Sequence, residues 1–270
     1  MIRPLNEQDR AGTIAFLMQM PHFNLYMLGN IEKLGFDHDF CEFWGDFGAA
    51  DAAGKNVVLR AVLNRYMTGW TVYGVPAADW QGLGAVLDNH VMRAERLQDN
   101  PGGVASFLPY LQRYKSEHDE VEEVMIMEAT HFQPVAPPEK VTIRRGRLTD
   151  LPKLVPFYAA AEHMTRSAAA VERPLRDTRL WLAEADGAIL ATALTNAETA
   201  TLAMIGGVYT PPSARGRGLS QAVCSALCAD LIAAGKQPIL YWSTPAAGAV
   251  YRKLGFQPSG QWHSVWLEQA

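Results

Sequence analysis

The apolar positions of the C-terminal half follow two periods. Leu219, Ala222, Val223, Ala226, Leu227 and Leu231 recur every three to four residues, which predicts a helix with a buried face, and Gly235 stands where that helix would end. Arg179 to Ala185 and Ala188 to Leu194 flank Asp186-Gly187, a pair suited to a two-residue hairpin turn. A third strand from Ala200 to Thr210 carries Gly206-Gly207, and paired glycines inside a strand predict a bulge or a close backbone approach. Val141 to Arg144 reads as an opening strand. Thr149 or Asp150 then caps a helix whose apolar face includes Leu154, Phe157 and Tyr158. Pro238 to Trp242 reads as a buried strand, Ala246 to Leu254 as a short helix ended by Gly255, and Trp262 to Leu267 as a last strand. The order β-α-β-β-β-α-β-α-β predicts an α+β fold on a mixed, mostly antiparallel sheet.

The N-terminal half is patterned less clearly. Met1 to Leu5 followed by Asn6 to Leu17 parallels Val141 to Arg144 and its helix, a hint of internal duplication. Leu25, Leu28, Ile31 and Leu34 have helical spacing, Ala77 to Val91 reads as one helix, and Val121 to Glu128 as a strand. Between the halves, Gln133 to Lys140 carries three prolines in eight residues and reads as an extended linker. The expected division is therefore 1–132, a linker at 133–140, and 141–270.

Composition narrows the function. Of 270 residues, 49% are hydrophobic and 19% charged, so the chain has material for a core and is not a disordered or fibrous sequence. A net charge of −4 argues against nucleic acid as a default partner, although residues 1–138 carry −8 and residues 139–270 carry +4. Cys41, Cys224 and Cys228 are too few for a disulfide framework, lack the spacing of a metal site, and read as small buried hydrophobes. Charged residues from Arg3 to Arg10 interrupt any signal peptide, and no apolar run is long enough for a membrane span, so a cytoplasmic location is expected.

The chemistry concentrates at Arg215-Gly-Arg-Gly-Leu-Ser220, between a strand and a helix. A helix N-terminus presents unpaired amides and partial positive charge, glycines at 216 and 218 let an anion approach the backbone, and two arginines add charge suited to phosphate. A Walker loop is excluded because no lysine follows Gly218. A dinucleotide fingerprint is excluded because Gln221 stands where a third glycine is needed.

These residues resemble the GNAT superfamily of acyl-CoA-dependent N-acyltransferases, whose pattern is Gln/Arg-x-x-Gly-x-Gly/Ala at a strand-to-helix junction. Arg215 and Gly218 match it, with Ser220 in the last place. Tyr251-Arg-Lys-Leu-Gly-Phe256 resembles the family's second signature, and Ser243 or Thr244 stands where an asparagine is usual. The resemblance covers 141–270. It implies that acetyl-CoA is the co-substrate. Amides of Arg215, Gly216, Arg217, Gly218, Leu219 and Ser220 would hold its pyrophosphate, the backbone of Val208 and Tyr209 would pair with its pantetheine arm, Thr244 would assist, and Tyr251 would act as general acid. A backbone amide near Gly207 or Val208 would polarise the thioester carbonyl. The general base stays open among Glu162, His163, Glu184, Glu198 and a water chain, while Met164, Trp181 and Trp242 are expected in the core.

Residues 1–132 resemble the degenerate GNAT-like domain that precedes some bacterial GNAT domains, where Asn24, Tyr26 and Asn30 are candidates for lining an acceptor cleft. The expected function is direct transfer of an acetyl group from acetyl-CoA to a primary amine of a small molecule or peptide. No metal, nucleic acid or membrane partner is expected. The alternative is a non-catalytic acyl-CoA sensor or interaction module.

Overall fold

A computed structural model describes residues 1–50, 57–161 and 164–270. The same order of elements occurs twice. The first repeat runs β1 (Ile2–Pro4), α1 (Arg10–Leu17), α2 (Leu25–Leu34), β2 (Cys41–Ala50), β3 (Val57–Tyr66), β4 (Gly69–Gly74), α3 (Trp80–Asp88), β5 (Arg96–Asp99), α4 (Pro101–Phe107) and β6 (Tyr114–Ile126). The second runs β7 (Thr142–Arg145), α5 (Leu151–Ala159), α6 (Ala168–Asp177), β8 (Leu180–Ala185), β9 (Ala188–Glu198), β10 (Leu202–Tyr209), α7 (Leu219–Ala233), β11 (Gln237–Trp242), α8 (Pro245–Leu254) and β12 (Gln257–Gln269).

The duplication extends to single side chains. Arg3 forks onto Asp9 at 2.8 and 2.7 Å, and the Asp9 carboxylate also accepts from the Asn6 amide. Arg144 forks onto Asp150 at the same two distances, and Asp150 accepts from the Arg147 amide. In each repeat a strand arginine six residues ahead of an aspartate locks the turn into the first helix. Charge-assisted forks of this kind are stronger than neutral hydrogen bonds. The arginine holds each carboxyl below the usual carboxylate range.

Two compact units result: Met1–Glu123 with Gly260–Ala270, and Val124–Ser259. These limits differ from the expected 1–132 and 141–270, because strand pairing decides where the ends belong. In the first unit β12 lies antiparallel to β5, in register from His263 opposite Asp99 to Trp266 opposite Arg96. Val265 and Leu267 of β12 join the core formed by Trp80, Leu83, Leu87 and Phe107. In the second unit Met127, just past β6, donates its amide to the Pro238 carbonyl at the head of β11. The second repeat thus gives most of its last strand, β12, to the first unit, while β6 enters the second unit only from Val124. The proline-rich segment has no regular structure and is tied down within the second unit: Gln133 donates to the Leu254 carbonyl and Val135 to Ser225 Oγ.

Within the first unit the strands run β1-β2-β3-β4-β5-β12, and within the second β11-β10-β9-β8-β7. Neighbours are antiparallel except β4–β5 and β10–β11, which are parallel. In the second unit α7 covers one sheet face through Val223, Leu227 and Leu231 against Ala183, Ala191 and Ala193. Small residues on the strands let this helix sit close. The other face packs Leu180, Leu182 and Leu194 against Leu154, Tyr158 and Val171 of α5 and α6.

Most predicted elements are present, with some differences. The 186–187 turn has Asp186 and Gly187 at φ +50° and +75°, the left-handed pair a tight hairpin requires. Gly235 follows α7 at φ +71°, and the Gly235 and Lys236 amides close back onto Ile232 and Leu231. One helix is expected between the first two strands of the second repeat, and there are two. The second, α6, begins where Ser167 Oγ accepts from the Ala170 amide and buries only Val171 and Pro174. The helix read over 77–91 contracts to α3, because Asp79 caps its start. Cys41, Cys224 and Cys228 are free and buried, and burial pushes the Cys224 thiol up to about 12. No helix of the described residues is long and apolar enough to cross a membrane.

Candidate active site

The site begins where two parallel strands part. Pairing of β10 with β11 ends at Ile205 opposite Leu240, while β10 continues to Tyr209. Against β9 the register of β10 slips between Gly206 and Tyr209, so the paired glycines do form a bulge. Gly207 sits at φ +56°, and a Cβ there would lie 2.7 Å from Leu194 Cγ and 3.0 Å from Tyr158 Oη. The bulge therefore needs glycine for both its conformation and its space.

Tyr158 holds this bulge from α5. Its hydroxyl donates to the Gly207 carbonyl at 2.7 Å and lies 2.8 Å from Thr192 Oγ1. Burial pushes the phenol up to about 12, so it remains a neutral donor. The sequence marks Tyr158 only as an apolar position on a helix. Nothing in its spacing reveals that its hydroxyl would meet a carbonyl forty-nine residues away.

Beyond the bulge lies a cavity of about 360 Å³, bordered by Val208, Tyr209, Arg215, Ser220, Met164 and Tyr251, among others. Five predicted site residues thus share one hollow. Met164, expected in the core, also borders it. Tyr251 is 7% exposed and meets Phe256 edge-on, with ring centroids 5.9 Å apart. Gly255 behind it has φ +100° and ends α8, which fixes the tyrosine's position on the helix.

The loop Arg215–Gly218 leads from the cavity to α7. Gly216 and Gly218 have φ of +77° and +74°, with open space around each Cα. Glycine is needed here for conformation and not for packing. Gly218 is the N-cap of α7 and supplies no side chain, so the helix begins with amides that no capping side chain covers. Arg217 is exposed. Leu219 sinks its side chain into the core, leaving only its amide for a ligand. Arg215 Nε donates to the Thr210 carbonyl at 3.0 Å, tying the loop to the end of β10.

Other candidates are engaged elsewhere. Thr244 is the N-cap of α8, where its Oγ1 accepts from the Ala247 amide, and it is not among the residues bordering the cavity. Glu184 pairs with Arg144 at 2.8 Å. Glu198 is buried between Arg179, Lys236 at 3.2 Å and Thr195 at 2.8 Å. Both carboxylates are consumed by structure. Glu162 and His163 lie outside the described residues. Trp181 and Trp242 pack against the core as expected, and Trp181 Nε1 donates to Asp230. In the first unit Asn24 is enclosed and donates to the Leu17 carbonyl, Asn30 donates to Asn64, and the Tyr26 ring lies 6.2 Å from that of Trp262.

The first repeat carries the same scaffold without the same chemistry. Asp79 caps α3 with its own carboxylate, accepting from the Gly82 amide, and the Asp79 amide is taken by Asp46. Two carboxylates at that helix start repel an anion where Gly218 leaves the matching place open. Asn100 and Pro101 open α4 as Thr244 and Pro245 open α8, and seven residues after the cap Phe107, fully buried, stands where Tyr251 stands. No phenol is available there.

A bulged, splayed strand pair beside a glycine-rich helix start, on an order of elements that the first repeat shares, defines the GNAT fold in its tandem form. Residues 186–267 match the model of the FR47-like protein family, which is GNAT-type. No curated protein sequence matches the chain. Solved structures agree on the fold. A Drosophila protein superposes with a TM-score of 0.71 at 10% identity, over 99% of this chain and 98% of its own. A tandem GNAT protein from the clavulanic acid biosynthesis pathway gives 0.62 at 15% identity, over 100% and 98%. A GNAT-family protein from Novosphingobium aromaticivorans gives 0.54 at 20% identity, over 74% and 84%.

Proposed function

We propose that the second unit transfers an acetyl group from acetyl-CoA to a primary amine. The observation that carries this reading is that one cavity is bordered by both the loop and start of α7, through Arg215 and Ser220, and by Tyr251. The chain fits acetyl-CoA in three respects. The α7 amides are uncapped, the loop glycines leave open space, and β10 extends past its partner β11.

When bound, acetyl-CoA supplies an acyl group activated as a thioester. Amides from Arg215 to Ser220 bind the pyrophosphate, and Arg215 and Arg217 add charge. The backbone of Val208 and Tyr209 offers hydrogen-bonding groups to the pantetheine arm. The amine nitrogen would bond to the acyl carbon as the carbon–sulfur bond breaks; Tyr251 would give its proton to the departing thiolate and recover, through water, the proton that the nitrogen sheds as the amide forms. Tyr158 keeps the bulge in the shape that aims nearby amides at the acyl oxygen.

The test is Tyr251→Phe, assayed by release of CoA thiol and by calorimetric binding of acetyl-CoA. Turnover should fall by about 10²–10⁴ with affinity nearly unchanged. Binding without turnover in the parent protein would favour the alternative, an acyl-CoA sensor. A variant as fast as the parent would remove Tyr251 from the chemistry.

A further inference from the structure

Near the cavity lies an arrangement of side chains that the reaction above does not use. Met164 borders the cavity, and two residues on Arg166 turns its guanidinium over the Tyr158 ring, 5.8 Å from the centroid. Arg166 Nη2 donates to Asn196 Oδ1 at 3.1 Å, and Arg173 Nη2 donates to the Asn196 carbonyl at 3.0 Å. Asn196 lies against the bulge, since a Cβ on Gly206 would fall 2.1 Å from its Nδ2. Two arginines therefore converge on one asparagine beside the Gly206–Gly207 bulge.

Three other arginines of this unit are paired with carboxylates: Arg144 with Asp150 and Glu184, Arg176 with Glu172, Arg179 with Glu198 and Asp230. Among the described residues no carboxylate pairs with Arg166 or Arg173. Arg166 Nε is also enclosed without an acceptor. Leaving a buried N–H unpaired is costly, and placing two cations together adds to the cost. Nε and the second N–H of Nη2 form one edge of the guanidinium fork, whose spacing matches the two oxygens of a carboxylate.

We infer that the acceptor is a primary amine that also bears a carboxylate, held by the Arg166 fork with Arg173 adding charge behind it. This rests on the transferase reading for the amine, but the carboxylate site can be tested without turnover. The CoA-loaded protein is titrated calorimetrically with each L-amino acid and with the corresponding C-terminal amide. Thiol release from acetyl-CoA is followed with the same two sets.

At least one free acid should bind about tenfold or more tightly than its amide. Arg166→Gln should bring the acid down to the amide's affinity while acetyl-CoA affinity stays unchanged, which also verifies folding. Arg173→Gln, on the exposed side of α6, should weaken the acid by a smaller factor. Equal binding of acid and amide, no binding of any acid, or discrimination that survives Arg166→Gln would each overturn the inference. If the acid binds selectively but no thiol is released with any acceptor, the transferase reading fails and the carboxylate site stands.

Discussion

Asp99 ends β5 with its carboxyl fully enclosed. Asn100 donates to Oδ1, Oδ2 has no partner, and a Cβ on Gly103 would lie 1.6 Å from Oδ2. Burial pushes this acid well above the usual carboxylate range. The native state therefore holds a proton that the unfolded chain loses near the ordinary aspartate value. Its contribution is most favourable below that value and is lost as pH rises toward the folded one. Asp99→Asn should raise the urea midpoint relative to the parent, with a gap that widens as pH rises above the ordinary aspartate value. A gap that does not grow with pH would show that the acid is ionised in the fold. Residue scale is also where the sequence speaks least. Tyr251 could be singled out because Gly255 and Phe256 follow it in a recognisable spacing. Tyr158 and Arg166 carry no such local mark, because their partners at Gly207 and Asn196 come from distant strands. Glu184 and Glu198 looked available as bases because Arg144 and Arg179, which hold them, lie 40 and 19 positions away in the chain.

Elements were more legible, for a physical reason. A helix or hairpin is set largely by side-chain period and by the few residues that accept left-handed backbone, and both are local. The 186–187 turn, the end of α7 at Gly235 and the start of α7 at Gly218 all followed from that. Element scale also yields a test that separates conformation from contact. Gly218 has φ +74° and no neighbour within 4 Å of the place an alanine methyl would take, so Gly218→Ala meets no steric clash. Its cost is the left-handed backbone alone, roughly 1–2 kcal/mol. The fold should survive with a lowered melting temperature, while acetyl-CoA affinity falls by about tenfold or more as the helix start relaxes. Unchanged affinity would mean that the pyrophosphate lies elsewhere. The α6 helix leaves no apolar stripe to read, because only Val171 and Pro174 of it are buried.

At the scale of the whole molecule, the duplication was faintly visible in the opening strands and is written plainly in the Arg3–Asp9 and Arg144–Asp150 forks. The passage of β12 into the first unit was not legible, since β12 reads as a strand wherever it pairs. That passage has a direct test. Deleting residues 260–270 removes Trp262, Val265 and Leu267, each 3% exposed or less, from the first unit. Each large apolar side chain is worth roughly 1.5–3 kcal/mol of burial. The first unit should therefore unfold or lose hydrogen-exchange protection in β5, while the second unit keeps its own. Equal protection in both units would contradict the strand assignment.

The transferred strand also dictates a schedule. During synthesis the ribosome releases β1 to β5 long before β12, with the entire second repeat in between. The early strands must wait with the edge of β5 lacking its native neighbour, and an open edge invites pairing with other nascent chains. Near that edge β5 reads Arg96-Leu-Gln-Asp99, short and polar at three of its four positions, and so a poor template for mispairing. The first unit is thus the earliest begun and the last finished, and its completion certifies that the second repeat has already been made.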